Sequence, residues 1–390
     1  MKPELQGHGV AGWRKGRRPQ RWVAGPRRSA ALILPLAIGC LVPPVAAQQA
    51  ARIREARDVL AQLVETYGVS GHEAPVRDAV LRLLPPWASA TIDSAGNLLV
   101  RVGTGAPLTV FIAHLDEIGF SVTGIRDDGR LDLRPVGGFF PSLFEAEPAL
   151  VHTATGMVPA VFALRDSVGR SARRNPGPLE ADPGTRSRAA TEALGIRVGD
   201  PVTMPKRFVS LAGHRATARS FDDRVGCAAE LLALRHLDRR RLRHAVLFIW
   251  STREEIGLEG ARFAAERLAP EQPARVYAID TFVSADAPLE IRTFAEAKLG
   301  AGAVVRAVDN SSVTPPALVD TLLALARAHR IGLAPGTTNG GNDGSTFTRF
   351  GVPDVGIGWP LRYAHSPGEV IDLGDVVALA DVLRLAAERW

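Results

Sequence analysis

Four short apolar runs, at residues 108–113, 245–250, 276–279 and 355–358, constrain this chain more than any other feature. They lack the alternating polar positions of a strand with one wet face, so they read as strands buried on both faces. Elsewhere the apolar period is helical, over 224–237, 260–268, 316–329 and 376–389. Residues 51–84 are helical too, split at Gly68-Val69-Ser70-Gly71. Buried strands alternating with helices specify an α/β fold, a mainly parallel sheet flanked by helices.

One region breaks this rhythm. Short strand-like pieces at 120–125, 131–135, 150–153, 158–163 and 201–204 are separated by turns, with few helical patterns between them. The expected organisation is an α/β domain formed by residues 48–119 and 213–390, with a β-rich domain, 120–212, inserted into it. Within the insert, residues 165–188 are rich in Arg, Pro, Gly and Ser and read as a long loop, either a solvated insertion or a lid.

The formal charge of +6 invites a nucleic-acid reading, which its distribution removes. Residues 1–47 hold eight basic residues and one acid, a charge of +7, which leaves −1 on residues 48–390. Beyond residue 48 the basic residues do not cluster with aromatics, so no nucleic-acid partner is expected. Residues 1–47 read as an export signal. A basic stretch ends at Arg27-Arg28, an apolar run covers 30–42, and Val45-Ala46-Ala47 is a small-residue cleavage pattern. The paired arginines permit a twin-arginine route. Cys40 invites a lipoprotein reading, but Ala37 matches such a signal poorly. The apolar run is short and interrupted by proline, so no stable membrane span is expected. The expected location is periplasmic or secreted. After cleavage Cys227 is the remaining cysteine; it permits no internal disulfide and reads as a core residue.

Each apolar run leads to a group that can bind a metal. The first ends at His114-Leu115-Asp116, the second runs into Glu254-Glu255, the third ends at Asp280, and the fourth leads to His365. Asp222-Asp223 opens a helix. Singly, such residues have ordinary structural uses: acids suit the first turn of a helix, and an Asp often opens a turn. Together, at the carboxyl ends of strands where open α/β sheets bind ligands, they point to a metal site. Imidazole with carboxylate suits zinc, cobalt or manganese. His114 and Asp116 lie two apart and share a face, so Asp116 can orient the imidazole. Two metal ions could bind a hydrolytic water and a carbonyl oxygen together, and Asp222 is placed to bridge them. Of two adjacent acids, one can ligate and the other can move protons.

The segments His-Leu-Asp-Glu-Ile-Gly (114–119), Phe-Asp-Asp-Arg-Val-Gly (221–226), Glu-Glu-Ile-Gly-Leu-Glu-Gly-Ala (254–261), Ala-Ile-Asp (278–280) and Arg-Tyr-Ala-His-Ser-Pro (362–367) resemble, in order, the tetrahedral aminopeptidase family of two-metal exopeptidases. That family includes glutamyl and deblocking aminopeptidases. Weaker matches are Ser-Gly-His-Glu (70–73) and residues 194–202. The resemblance implies that His114 and Asp280 hold one metal, that Glu255 and His365 hold the other, and that Asp222 bridges them. It implies Glu254 as general base, Asp116 as the residue orienting His114, and a cis peptide between Asp222 and Asp223. It also implies peptide substrates and homo-oligomers, dimers that build dodecamers. The chain departs from the family in Gly-Gly-Asn-Asp (340–343), where Gly-Gly-Thr-Asp is usual, and in its Arg/Pro-rich loop. Two other readings stay open: a related two-metal carboxypeptidase or deacylase, and an exported binding protein without catalysis. An aminopeptidase needs a contact for the substrate amine, and Asp286 and Asp343 are candidates.

Overall fold

The computed structural model describes residues 45–165, 178–287 and 297–389. Helices α1 (Val45–Val64) and α2 (Ala74–Leu83) lead into strands β1 (Ala90–Ile92), β2 (Leu98–Val102) and β3 (Thr109–His114). Strands β4 (Gly119–Ile125), β5 (Leu131–Val136), β6 (Pro148–Thr153), β7 (Gly156–Phe162), β8 (Glu180–Asp182) and β9 (Pro201–Thr203) follow, with α3 (Arg188–Ala193) before the last. Next come β10 (Val209–Ser210), β11 (Arg215–Ala218), α4 (Phe221–Arg235), β12 (Val246–Ser251), α5 (Glu259–Leu268), β13 (Arg275–Ile279) and β14 (Phe282–Val283). The chain continues through β15 (Ala303–Val308), α6 (Pro316–Ala328), β16 (Leu333–Thr337), a 3-10 stretch at Asp343–Phe350, β17 (Asp354–Gly358), β18 (Pro360–Leu361), β19 (Glu369–Asp372) and α7 (Leu373–Arg389).

Eight strands form one sheet in the order β1-β2-β12-β3-β13-β17-β15-β16. Its centre, β12-β3-β13-β17, is parallel; β2 and β15 join it antiparallel. The four apolar runs are these central strands. Strands β3, β12 and β13 are buried on both faces because their successive residues serve different cores; in β17, Val355 and Ile357 serve one core and glycines alternate with them. Val110, Ile112, Leu247, Ile249, Val276 and Ala278 pack on α5 and the 3-10 stretch side. Phe111, Ala113, Phe248, Trp250, Tyr277 and Ile279 face the larger core shared with α1, α4 and α7. On that face Phe111 stacks between Phe248 and Tyr277, with ring centroids 4.8 and 5.0 Å apart. Such stacking adds about 0.5–1.5 kcal/mol per pair beyond area burial.

The β-rich insert is a closed barrel, β4-β5-β8-β7-β6-β9, with its own core of Phe120, Val122, Leu133, Val151, Phe162 and Val202 among others. Closure leaves the barrel no open sheet edge. Strand β8 lies inside the segment that the sequence marks as a loop. Glu-Ala-Asp carries no strand signature, and the barrel supplies its pairing through β5 and β7. Residues 166–177, the rest of that loop, lie outside the described residues, as does nearly all of the leader; residues 45–47 open α1. Among the described residues no helix is long and apolar enough to cross a membrane.

Candidate active site

Parallel strands deliver their last residues to one edge of the sheet, and that edge is where the metal-capable side chains meet. His114 is the final residue of β3 and is paired in register with Ser251 at the end of β12. Asp280 follows β13, and its backbone N–H donates to Ile357 of β17 at 3.1 Å. A Cβ on Gly358, the last residue of β17, would overlap the Asp280 carbonyl oxygen, so only glycine allows this approach. Asp222 opens α4 through a cis Asp222–Asp223 peptide, as the resemblance implied.

Asp222 lies between the two imidazoles, with Oδ1 3.1 Å from His114 Nε2 and Oδ2 3.1 Å from His365 Nε2. Glu255 Oε1 is 3.4 Å from His365 Nε2. Glu254 Oε2 lies 3.8 Å from His114 Nε2. Three groups could each hold a metal ion, their ligand atoms within 4.8 Å of one another: His114, Asp222 and Asp280; Asp222, Glu255 and His365; and His114, Glu254 and Glu255. The structure therefore brings together all five residues expected to ligate, with Asp222 common to two groups and Glu254 at their edge. Divalent cations fit this donor set. Imidazole and carboxylate converge from five positions, and Glu255 Oε1, though buried, accepts no hydrogen bond among the described residues.

Asp116 lies beneath the cluster, fully buried. Its Oδ1 is 3.5 Å from His114 Nδ1, an ion-pair distance longer than a hydrogen bond. Its firmer contacts are with the other acids: Glu254 N–H donates to Oδ1 at 3.0 Å and Glu255 N–H to Oδ2 at 3.1 Å. Asp116 thus fixes the backbone that carries the adjacent glutamates as well as facing the histidine. Ser70 holds Asp116 in turn, its hydroxyl donating to Oδ2 at 2.6 Å. Asp223 accepts from the backbone N–H of His114 at 2.9 Å. Three ligand-bearing segments carry non-glycine residues in the left-handed region: Ser220 (φ 69°), Arg253 (φ 55°) and His365 itself (φ 57°). Such strain is held in place by surrounding contacts and clusters at functional sites.

The electrostatics follow from burying many acids together. Burial, offset by His114 and reinforced by Asp280, Glu255 and Asp343, raises the Glu254 carboxyl well above its ordinary value. Burial, partly countered by His365, pushes Glu255 up to about 7. For Asp222 burial acts upward, but the two imidazoles overcome it and hold the group below the usual carboxylate range. Burial works against the charged form of His114, yet Glu254, Asp116 and Asp222 keep its imidazole well above the ordinary value.

The sequence reading missed several contributors. Glu369 accepts the His365 N–H at 3.0 Å through one oxygen and the Phe221 N–H at 2.6 Å through the other. Gly138, in a barrel turn, offers its carbonyl to His365 Nδ1 at 2.6 Å. Neither carries a local signature: Gly138 reaches His365 from a distant segment, and Glu369, though four residues from His365, also reaches Phe221 far back in the sequence. The Gly-Gly-Asn-Asp departure has a structural account. Asn342 accepts from Gly344 N–H at 2.8 Å, capping the 3-10 stretch, and donates to Asp309 at 2.7 Å. Of the two acids considered for the substrate amine, Asp286 is paired with Arg362 at 2.5 Å. Asp343 is 4% exposed and accepts from the Ser251 hydroxyl. A separate cleft of about 960 Å³ lies between the barrel and α2, lined by Tyr67, His72, Glu73, His152 and Met157 among others; it contains none of the five metal-capable residues.

The chain is 30% identical over 331 residues to the lysyl aminopeptidase of Pyrococcus furiosus, covering 82% of this chain and 93% of that one. It is 26% identical over 343 residues to the glutamyl aminopeptidase of Lactococcus lactis, covering 84% and 94%. Among solved structures, the Pyrococcus horikoshii TET1 peptidase superposes with a TM-score of 0.79 at 30% identity, over 86% of this chain and all of that one. An aminopeptidase of Desulfurococcus kamchatkensis gives 0.80 at 28% identity, over 88% and 96%. Residues 96–382 match the family described as M42 glutamyl aminopeptidase, a match spanning most of the chain, and the protein belongs to that family of peptidases.

Proposed function

We propose that this protein is a two-metal aminopeptidase that removes N-terminal residues from peptides. The observation that carries the reading is the position of Asp222, one carboxylate oxygen toward each of two imidazoles, with Glu255 and Asp280 completing a group on either side. In this reading His114 and Asp280 hold one divalent ion, Glu255 and His365 the other, and Asp222 both; zinc, cobalt and manganese all suit these ligands. Such a pair supplies Lewis-acid charge for the scissile carbonyl and lowers the pKa of water. The chain's own part is proton handling and orientation. Glu254, its backbone N–H held by Asp116 and its carboxylate facing His114 at the edge of the cluster, takes a proton from the attacking water and returns it to the departing amine. Asp116 holds Glu254 and Glu255 by their backbone N–H groups, so base and ligand share one anchor.

Three further parts belong to this proposal. Residues 48–119 and 213–390 form the catalytic domain, and residues 120–212 form an inserted domain serving assembly or covering the site. The chain is a homo-oligomer; the Pyrococcus horikoshii relative is described as assembling into a tetrahedron or a large octahedral shell. Here the barrel exposes Met157, Val161, Leu164 and Val198, apolar side chains suited to a protein contact. Residues 1–47 direct export and are removed.

The test is mass spectrometry of free, N-acetylated and C-amidated peptides incubated with chelator-treated protein and with protein restored by zinc or cobalt. Metal-dependent stepwise loss from free N-termini is expected, and the order of loss reads the side-chain preference. Cleavage confined to acylated substrates or to carboxyl-terminal residues would replace this reading with the related amidohydrolases. No turnover by protein holding two ions would replace it with a binding role.

A further inference from the structure

Arg306 is a buried cation that the proposed reaction does not use. It stands on β15 at 2% exposure, and its two terminal nitrogens reach four acceptors. Nη1 is 2.7 Å from Asp280 Oδ2 and donates to the Thr281 carbonyl at 3.1 Å. Nη2 donates to the Gly341 carbonyl at 2.8 Å and lies 3.2 Å from Asp309 Oδ2. Asp309 Oδ2 also accepts from Asn342 Nδ2 at 2.7 Å, so the far end of the guanidinium is itself anchored. Below it, Gly356 of β17 packs against the Arg306 side chain so closely that a Cβ there would come within 2.8 Å of the Arg306 Cβ.

The rest follows from geometry. A guanidinium is a rigid planar fork, and this one spans from the end of β13 to the turn at 340–342. With Arg306 on Asp280 Oδ2, and Thr281 N–H donating to Oδ1 at 2.6 Å, the carboxylate has little rotational freedom. The other side of the cluster is built differently. Among the described residues no Arg or Lys is ion-paired with Asp222 or Glu255, and His365 is held by Glu369 and the Gly138 carbonyl.

We propose that Arg306 is a positioning residue for Asp280, fixing the carboxylate so that it presents a single oxygen to the ion shared with His114 and Asp222. The inference rests on the two-metal reading. A lysine would keep the charge but could not reach both Asp280 and the 340–342 turn, so Arg306→Lys should loosen that one ligand.

Cobalt(II) titration into chelator-treated full-length protein tests this, with visible absorption reporting ligand geometry and bound cobalt counted after gel filtration. The wild type is expected to bind two cobalt ions per chain. Arg306→Lys, with an unchanged circular dichroism spectrum, should keep one ion at wild-type affinity and bind the other at least tenfold more weakly, with an altered absorption band. Two ions bound with wild-type affinity and spectrum, or equal weakening of both, would overturn the assignment while leaving the two-metal reading intact. A wild type that binds fewer than two ions would overturn that reading and this inference with it. If Arg306→Lys does not fold, Asn342→Ala removes the outer anchor, together with the cap on the 3-10 stretch, and should weaken the same single ion several-fold; unchanged binding of both ions would count against the proposal.

Discussion

A glutamine at position 254 would keep the side chain's size and remove its ability to accept a proton. If Glu254 is the base, Glu254→Gln lowers kcat by about 10²–10⁴-fold and leaves bound metal unchanged, which kinetics with metal analysis on the same sample would show. A kcat within tenfold of wild type would reassign the proton transfer. Elsewhere, Glu230 sits in the middle of α4, fully buried, with neither carboxylate oxygen hydrogen-bonded among the described residues. Burial, then Asp223 and Asp343, raises its carboxyl well above the ordinary 4.5. An acid raised on folding gives stability that is complete below its unfolded value and lost as pH climbs through the raised one. Glu230→Met should therefore be more stable than wild type at pH 8 and show a smaller fall in stability between pH 5 and pH 8, measured by urea unfolding at both. Much of the site was legible at this scale because its residues sit at the ends of apolar runs, where a strand hands its last side chain to the sheet edge. Gly138, Arg306 and Glu369 were not, because no local pattern singles out the contacts that bring them to the site; Ser70 lay within the weakly matching Ser-Gly-His-Glu segment, without a role assigned to it.

The elements were readable where the apolar pattern runs unbroken. Strands β3, β12, β13 and β17 came from continuous apolar runs, and α4 to α7 from helical periodicity. Strand β16, Leu-Ala-Pro-Gly-Thr, escaped because it is a partly exposed edge strand with Pro and Gly in it, permitted only where a ladder has a free side; β15 escaped although its first four residues are buried, because Arg306 interrupts its apolar run. The parallel centre also carries a testable load. Phe111 is the middle ring of the stack across β12, β3 and β13, fully buried, and truncating it removes both contacts. Phe111→Ala should cost about 3–5 kcal/mol in denaturant unfolding. A loss below about 1 kcal/mol would mean that the neighbouring rings close the gap.

Over the whole molecule, the barrel and the sheet are joined by buried charge. Glu117, at the end of the β3 segment and fully buried, takes Lys206 at 2.8 Å, Arg224 at 3.5 Å and Arg219. Burial alone would raise its carboxyl, but these three cations hold it far below the usual range; burial in turn pulls Lys206 down to about 7. Removing the acid strands the three cations together, so Glu117→Gln should cost about 3–5 kcal/mol, read from the denaturation midpoint. A neutral outcome would mean that the cations reach solvent.

The barrel turn that gives its carbonyl to His365 limits how this architecture can be rearranged. A carbonyl only accepts, so His365 Nδ1 must carry the proton in that contact, and Nε2 is the nitrogen turned toward Asp222. The tautomer of a histidine outside the barrel is thus set by main chain belonging to the insert. The barrel is therefore not an interchangeable cartridge: a chimera carrying a relative's barrel would inherit or lose the histidine's orientation according to where that one peptide unit falls, whatever the match of surface side chains.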